Sequence, residues 1–495
     1  MQLDKFLETV KYPESFTAWS RSKKPLHTFS IESIVDDSRK VTKGSLFVAI
    51  SGTETKGDTF IPDAISKGAT VIAATPDQCK EYALSYPDMC FIETKIPRRF
   101  LAFLGAAFYP KQPENIVAVT GTNGKTSVVN FVRQIWEHLG YKAASLGTLG
   151  IQSTQFQQQK HLTTPDPLYL HSQLDAMTKK NITHLAMESS SHGLDQHRLD
   201  AVHLKAAAFT NLSPDHLDYH KTLEAYLDAK RQLFKRILPP QGTTVLNADI
   251  PEFETLKNSI SSKILTYGRK GAQIHLESLT PLPHGQTLKL RIFGNLYHVN
   301  FPLIGEFQVY NALCALGLVL AVNPEKTENA IQILDHLQGI PGRLEFVGSH
   351  PNGAPVYVDY AHASGGIETL LKTMRAHIKG DLWVVFGAGG GRDPSTRPLM
   401  GKAASAYADH VVITDDNPRF EDPQIIRQQL LKGCPDAIEI PDRPEAINYA
   451  IHHLKPQDAL VVTGKGPEDG QIIKGVTYPF LDKSVIENIL SGMKK

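Results

Sequence analysis

The sequence is poor in cysteine, almost without net charge, and free of long apolar runs, and each shortage closes off a class of protein. Its four cysteines, Cys79, Cys90, Cys314 and Cys434, are scattered through 495 residues without the short spacing that a zinc site or redox pair needs. They are expected to be reduced and buried, as small hydrophobes in a cytoplasmic protein. Formal net charge is +1, so no broad field draws the chain to nucleic acid or an anionic membrane. Apolar runs stop well short of the ~18 residues that a membrane span requires, so no membrane insertion is expected. The opening MQLDKFLETVKYPESF carries acids and has no apolar core before a small-residue cleavage site, so no secretory signal is expected. No convincing internal repeat or low-complexity tract is present.

What is present is ordinary globular composition, 41% hydrophobic and 21% charged, in a length that suggests about three domains. Short Val- and Ile-rich runs alternate with helical patterns: LFVAI, TVIAA, IVAVT, HLAM, AAAFT, LWVVF, HVVIT and ALVVT. That alternation predicts parallel sheets with crossover helices, an α/β architecture. Two seams interrupt it. AAFYPKQPEN sets two prolines before one strand, and LQGIPGRLEFVGSHPNGAPVYV is rich in glycine and proline before a new set of strands. Division near residues 110 and 340 gives segments 1–110, 111–340 and 341–495.

The stretch IVAVTGTNGKTSVVNF ends like a phosphate-binding loop but does not begin like one. The common signature Gly-x-x-x-x-Gly-Lys-Ser/Thr would set a glycine where Val119 stands. The context is nevertheless right: NIVAVT reads as a buried strand, and SVVNFVRQIWEHLG as a helix with Val128, Val132, Ile135 and Leu139 on one face, stopped by Gly140. Gly121 and Gly124 would let backbone N–H groups converge on phosphate oxygens at a helix N-terminus. Lys125 would supply a point charge to the transferred phosphate, and Thr126 a hydroxyl to Mg²⁺. Taken alone, the same residues also describe a strand-to-helix turn with a surface lysine.

Two further segments bear on that choice. Glu188 in HLAMESSSHGLDQHR and His216 in AAAFTNLSPDHLDYH each follow a predicted strand, and ligands in open α/β sheets sit at the carboxyl ends of strands. Together they could hold a second Mg²⁺; singly, each is more often a hydrogen-bonded core or loop residue. In TLEAYLDAKRQLF, Tyr226 and Lys230 lie one helical turn apart, although a lone lysine on a helix is usually a solvated charge.

Together these motifs resemble the Mur ligases, the ATP-dependent amide-forming enzymes that build the peptidoglycan stem peptide. TGTNGKT resembles that family's short phosphate loop, which lacks the earlier glycine. ESSSHGLDQHR, TNLSPDHLDYH with AYLDAK, PLIGEFQVYNALCA, GIPGRLE and VDYAH resemble its other blocks, in order and over essentially the whole chain. The resemblance implies three domains: a small N-terminal α/β uridine-nucleotide domain, a central P-loop-type ATPase domain with a mostly parallel sheet, and a C-terminal Rossmann-like α/β domain that binds the amino acid.

It also implies roles. Gly121, Thr122, Asn123, Gly124, Lys125, Thr126 and Ser127 would form the ATP loop, with Asn311 at the adenine and Arg343 at the phosphates. Thr126, Glu188, His216 and Lys230, the last as a CO₂-derived carbamate, would hold Mg²⁺. The carbamate requires a lysine that loses its proton readily. Asp359 and His362 would lie at the domain junction, and catalysis would need the third domain to close on the second. Ser38 and the Thr53–Glu54–Thr55 turn would meet the uridine nucleotide, and Thr163, Thr164, Ser190, Gln196 and Arg198 the rest of UDP-MurNAc-L-Ala-D-Glu.

The third segment carries the choice of amino acid. WVVFGAGGGRDPSTRPLM matches a dinucleotide fingerprint poorly, because Arg392 stands where a glycine is needed. Asp416, Asn417, Pro418 and Arg419 match the DNPR motif that the family associates with meso-diaminopimelate rather than L-lysine. An arginine fork suits the second carboxylate that lysine lacks. Arg392, Gly464 and Glu468 would complete the pocket, although DNPR in isolation reads more readily as an Asx-Pro turn with a surface arginine. Pro467 replaces the family's usual histidine, and Ser364, Gly365 and Gly366 depart from its usual proline and aspartate. A folylpolyglutamate synthetase would share the loop and the activated lysine but lack DNPR and the uridine domain. A P-loop motor or switch would show basic stripes or a second acidic strand-end motif. The implied protein is a cytoplasmic monomer acting on small molecules.

Overall fold

The computed structural model describes residues 1–50, 57–156 and 162–493. Thr53, Glu54 and Thr55 lie outside the described residues. The chain forms two compact units, Met1–Ala272 with Cys314–Ala330, and Gln273–Leu313 with Ile331–Lys495.

The first unit holds two sheets. The N-terminal one contains β1 (Phe16–Ser20), β2 (Ser33–Val35), β3 (Ser45–Val48), β4 (Ala69–Ala74) and β5 (Cys90–Thr94), in the order β1-β5-β4-β3-β2. Only β1 runs antiparallel to its neighbour. Both faces are covered: Leu46, Val48, Val71, Ala73 and Ile92 belong to one core, and Phe47, Ala49, Ile72, Ala74 and Phe91 to another. Burial on both faces is why these strands read as continuous apolar runs.

The next sheet contains β6 (Asn115–Thr120), β7 (Ala143–Gly147), β8 (Gly150–Gln152), β9 (His184–Glu188), β10 (Leu204–Phe209), β11 (Thr243–Asn247) and β12 (Lys263–Gly268). Through the first unit it runs β12-β11-β10-β6-β9-β7-β8, parallel except for β8. From β6 the chain passes to β7 on one side, and from β9 it returns to β10 on the other. The order therefore reverses about β6, and crevices form at the carboxyl ends beside such reversals.

In the second unit, β13 (Ile274–Leu282), β14 (Gly285–Ile292) and β15 (Asn295–Phe301) pair antiparallel. Sequence reading missed these three, because one face of β14 is solvated and its apolar residues alternate instead of running together. Next come β16 (Glu345–Ser349), β17 (Pro355–Val358), β18 (Leu382–Phe386), β19 (His410–Ile413), β20 (Ile438–Glu439) and β21 (Ala459–Val462), ordered β16-β17-β21-β18-β19-β20. All are parallel to their neighbours except β16. Alternate residues again serve two cores: Val384, Phe386 and Val461 face one way, and Trp383, Val385 and Val462 the other. A hairpin of β22 (Gly470–Ile473) and β23 (Val476–Pro479) follows.

All eight quoted apolar runs are strands of these parallel sheets. The helix expected after the glycine loop spans Lys125–His138, with Gly140 at φ 87° behind it. The four cysteines are free and buried, as expected. Among the described residues no helix is long and apolar enough to cross a membrane.

Candidate active site

Strand β6 places Val119 inside the sheet, opposite Ala208 on β10 and Glu188 on β9. Val119 is therefore strand, and the turn begins only at Gly121. Gly121 and Gly124 have φ 141° and 89°, a region that favours glycine. A Cβ on Gly121 would also stand 1.9 Å from Thr210 Oγ1, so no larger residue fits there.

The chain after β10 braces the loop. Thr122 N–H donates to Asn211 O, and Asn123 N–H to Asn211 Oδ1, both at 2.9 Å. Thr210 Oγ1 donates to Asn123 O at 2.7 Å, and Thr122 Oγ1 to Ser213 O at 3.1 Å. Lys125, Thr126 and Ser127 form the first helical turn, whose N–H groups have no acceptor within the helix and make an anion site. Lys125 Nζ folds back onto Gly121 O (3.0 Å) and Thr122 O (2.8 Å).

Glu188, at the carboxyl end of β9, is 1% exposed. Thr148 N–H donates to its Oε1 at 2.8 Å and Thr148 Oγ1 to its Oε2 at 3.2 Å. Burial pushes this carboxyl above its ordinary range, against the opposing pull of Thr148, Lys125 and the Thr126 hydroxyl. Gly147 makes room for it, since a Cβ there would lie 2.1 Å from Glu188 Oε1.

Lys230 sits on helix Leu223–Gln232 and is 1% exposed. Its Nζ donates to Gly121 O at 2.8 Å and lies 4.2 Å from the Tyr226 ring centroid. Burial, then the nearby Lys125 charge, lowers its pKa to about 6 despite Asp215. A solvated surface lysine is thereby excluded.

His216 caps the short helix Leu217–His220 in the left-handed region, φ 52°, where non-glycine residues are uncommon. Its Nε2 lies 3.6 Å from Asp215 Oδ2, and its ring packs edge-on against His192. Among the described residues no three His, Cys, Asp or Glu side chains converge as a metal site.

Thr163 Oγ1 meets Thr148 Oγ1 at 3.1 Å. Thr164 Oγ1 donates to Glu188 O (3.0 Å) and accepts from Ser190 N–H (2.9 Å). Arg198 donates to Thr164 O and Gln196 Oε1, both at 2.7 Å. Thr163, Thr164, Ser190, Gln196 and Arg198 are thus one network beside Glu188. Ser38 is buried elsewhere, in the turn between β2 and β3, where Lys67 Nζ donates to its carbonyl oxygen. Asn311, on helix Glu306–Val322, donates to Gln308 Oε1 at 3.2 Å.

In the second unit Arg343 precedes β16, and the other candidates follow the carboxyl ends of β17, β18, β19 and β21. Asp359 accepts from Leu344 N–H and Ala361 N–H, both at 2.7 Å, and burial raises its carboxyl above the usual range. The Arg343 guanidinium lies 5.2 Å from the Tyr360 ring centroid, and that ring packs edge-on against His362. Asn417 Nδ2 donates to Glu468 Oε2 at 2.9 Å. Asp416 comes within 2.8 Å of where a Cβ on Gly464, φ 111°, would stand. Arg419 adopts φ 55° and donates from Nη1 to Gly390 O at 2.6 Å. Arg392 is exposed on the glycine-rich loop after β18. Pro467 packs against Gly342 while Glu468 keeps its contact with Asn417.

Several residues at these sites escaped sequence reading. Gly147 ends β7, and Thr148, Thr210 and Asn211 follow strand ends, so only the pairing of those strands brings them to Glu188 and Gly121. Lys465, between Gly464 and Gly466, could have been suspected as a charge between glycines. Arg397, 1% exposed, holds Glu421 and Gly389 O behind the loop after β18.

A glycine loop at a helix N-terminus, flanked by a buried carboxylate and a buried lysine of lowered pKa, defines an α/β enzyme that uses a nucleotide. Comparison narrows the class. The Mur ligase family catalytic domain matches residues 30–122, the Mur ligase middle domain residues 119–319, and the Mur ligase glutamate ligase domain residues 342–466. The chain belongs to the Mur ligase family and has its three-domain α/β fold. It is 45% identical to the UDP-N-acetylmuramoyl-L-alanyl-D-glutamate–2,6-diaminopimelate ligase of Bradyrhizobium diazoefficiens, over 92% of this chain and 94% of that one. The corresponding Rhizobium meliloti ligase is 43% identical over 94% and 95%. A solved structure of a ligase of that name superimposes with a TM-score of 0.78 at 30% identity, covering 99% of each chain.

Proposed function

We infer that this chain is an ATP-dependent amide-forming ligase that adds meso-diaminopimelate to UDP-MurNAc-L-Ala-D-Glu. The products would be the UDP-linked tripeptide, a precursor of peptidoglycan, with ADP and phosphate. The observation that carries this reading is Lys230, a buried amine bound to the carbonyl of Gly121 in the phosphate loop and lowered to about 6. A motor or switch ATPase has no use for such a group, whereas a ligase can carbamylate it.

The chemistry has two steps. The D-glutamyl γ-carboxylate attacks the γ-phosphorus of ATP, forming an acyl phosphate and releasing ADP. The amine of diaminopimelate then attacks the acyl carbon; phosphate leaves, a proton is lost and an amide remains. Lys125 and the N–H groups of the first helical turn bind the phosphates and offset charge on the transferred phosphoryl. Thr163, Thr164, Ser190, Gln196 and Arg198 orient the muramyl dipeptide, with Ser38, Thr53, Glu54 and Thr55 at its uridine end. Asn311 would meet adenine, and Arg343, Asp359 and His362 would join the site as the domains close and exclude water.

Mg²⁺ fits the residues present: Glu188 is a buried carboxylate with Thr126 near it, and a carbamate on Lys230 would supply a second anionic ligand, His216 a third donor. When bound, the ion neutralises phosphate charge. Carbamylation needs a neutral amine, and a pKa near 6 leaves most of Lys230 neutral at pH 7.

For the amino acid, Arg419 and Arg392 would bind the distal carboxylate of diaminopimelate, and Asp416, Asn417, Pro418, Gly464 and Glu468 would line the rest of the pocket. The working division is 1–110 for the uridine nucleotide, 111–340 for ATP and 341–495 for the amino acid, in a cytoplasmic monomer.

The test supplies UDP-MurNAc-L-Ala-D-Glu, ATP and Mg²⁺ with either meso-diaminopimelate or L-lysine, and follows phosphate release and product mass. Tripeptide with diaminopimelate alone is expected. Turnover with lysine instead would retain the ligase and discard the Arg419 assignment. No turnover with either would overturn the reading.

A further inference from the structure

We propose that Lys465 is the positioning residue of the amino-acid pocket: its buried ammonium fixes the amide of Asn417 and turns one oxygen of Glu468 toward the ligand. The proposal deepens, and rests on, the assignment of this pocket to diaminopimelate.

Lys465 is 0% exposed. An ammonium has three N–H donors, and three acceptors meet it: Gly470 O at 2.7 Å, Asn417 Oδ1 at 3.1 Å and Glu468 Oε2 at 3.4 Å. Asp416 Oδ1 lies at 3.8 Å. One side chain thus ties together the loop after β19, the loop after β21 and the start of the β22–β23 hairpin.

The polarity of the network follows from the donors. Asn417 Oδ1 accepts from Lys465 and from Ile472 N–H at 2.9 Å, so the amide cannot flip without placing its NH₂ against two donors. Its Nδ2 therefore donates, and Glu468 Oε2 receives it at 2.9 Å. With Oε2 engaged by both Lys465 and Asn417, Oε1 keeps, among the described residues, only a 3.5 Å contact with the Tyr360 hydroxyl. The Glu468 side chain is 38% exposed, so Oε1 is the acceptor left for a ligand ammonium. Diaminopimelate carries an ammonium and a carboxylate at its distal centre. Glu468 Oε1 suits the first, and the Arg419 guanidinium the second.

Charge gives a second reason for a cation here. Asp416 and Glu468 both face the Lys465 ammonium, and the charge of buried Arg443 is felt by both. Without Lys465 the two carboxylates would repel and Asn417 could rotate. The pocket would then lose its shape for the ligand while ATP and nucleotide sites kept theirs.

The experiment is steady-state kinetics on the full chain with each of the three substrates varied in turn, comparing wild type with Lys465→Met. The KM for meso-diaminopimelate should rise about tenfold or more, as expected for a buried network left unsatisfied. The KM values for ATP and UDP-MurNAc-L-Ala-D-Glu, and kcat at saturating diaminopimelate, should stay within about threefold. Loss of a merely structural lysine would instead change all of these together or none. Should Lys465→Met fail to fold, Asn417→Asp keeps the acceptor for Lys465 but removes the donor to Glu468, and the same selective rise is expected. An unchanged KM for diaminopimelate in the folded variant overturns the proposal. A wild-type enzyme that ignores diaminopimelate overturns the underlying assignment instead, so the two failures are distinct.

Discussion

The side-chain nitrogens of Lys125 and Lys230 converge on one acceptor, the carbonyl oxygen of Gly121, at 3.0 and 2.8 Å. Burial lowers the pKa of both amines, and with the Lys125 charge beside it Lys230 falls to about 6. Its folded pKa lies below the unfolded value near 10.4. The charged form is thus penalised in the folded state, and the penalty grows as pH falls from about 10 toward 6. Lys230→Met should therefore raise the melting temperature at pH 7, by about 2 °C or more, while abolishing ligation. Lys230→Ala should be inactive too, with partial activity restored by short carboxylic acids. Thermal melts and phosphate-release assays check both; full activity in the unsupplemented variant would remove the carbamate from the mechanism.

Gly147 is a steric requirement of Glu188. An added Cβ would approach Oε1 to 2.1 Å, and this glycine is not among those with positive φ, so the penalty is contact and not backbone strain. Gly147→Ala should displace the carboxylate and lower kcat by about 10²-fold. The KM for diaminopimelate should stay nearly constant. A variant with normal kcat would separate Glu188 from catalysis.

Arg419 holds φ 55° and is braced on Gly390 O, an unfavourable conformation of the kind that clusters at ligand sites. Arg419→Ala should raise the diaminopimelate KM by about 10²-fold or more, leaving the KM for the UDP-linked dipeptide unchanged. Arg419→Lys should recover little, because a point charge cannot replace the fork. An unaltered amino-acid KM would sink the assignment.

Asp200, 2% exposed, receives Arg99 at 2.7 Å and Arg236 at 3.2 Å. Burial alone would raise its pKa, but His197, Arg236 and Arg99 together hold it below the ordinary carboxylate value. Such a depressed group adds stability above its unfolded pKa of about 3.9 and loses it as pH falls below that. Asp200→Asn should lower the melting temperature at pH 7, and the gap from wild type should narrow below about pH 4. A gap independent of pH would refute the ion-pair account.

Arg443 and Asp482 form a bidentate pair at 2.7 Å, both 0% exposed in their side chains, and Arg443 also donates to Thr463 O beside Gly464. Removing one partner leaves a buried charge, so Arg443→Met should destabilise by about 3–5 kcal/mol. The double change Arg443→Met with Asp482→Leu should recover part of the loss in urea unfolding.

The amino-acid sequence by itself determined the strands of the parallel sheets and the helix behind the glycine loop. Parallel strands are buried on both faces, so LWVVF and HVVIT must be apolar throughout, and the helix after Gly124 must carry its stripe of Val128, Val132 and Ile135. It also supplied Lys125, Glu188 and Arg419 as candidates, because such residues beside strand ends and glycines have few other uses in that order. Only the tertiary structure decided which strands are neighbours. Placing β6 between β9 and β10 is what sets Glu188 and Thr210 beside Gly121, residues far apart in the chain. Burial decided the rest. Nothing in TLEAYLDAKRQLF distinguishes a solvated lysine from one held at about 6, since that difference comes from the water excluded around Lys230 and the charge of Lys125 beside it. Gly147, Thr148 and Lys465 were hidden for the same reason: their roles are set by the side chains packed against them, and a one-dimensional pattern carries no record of those contacts.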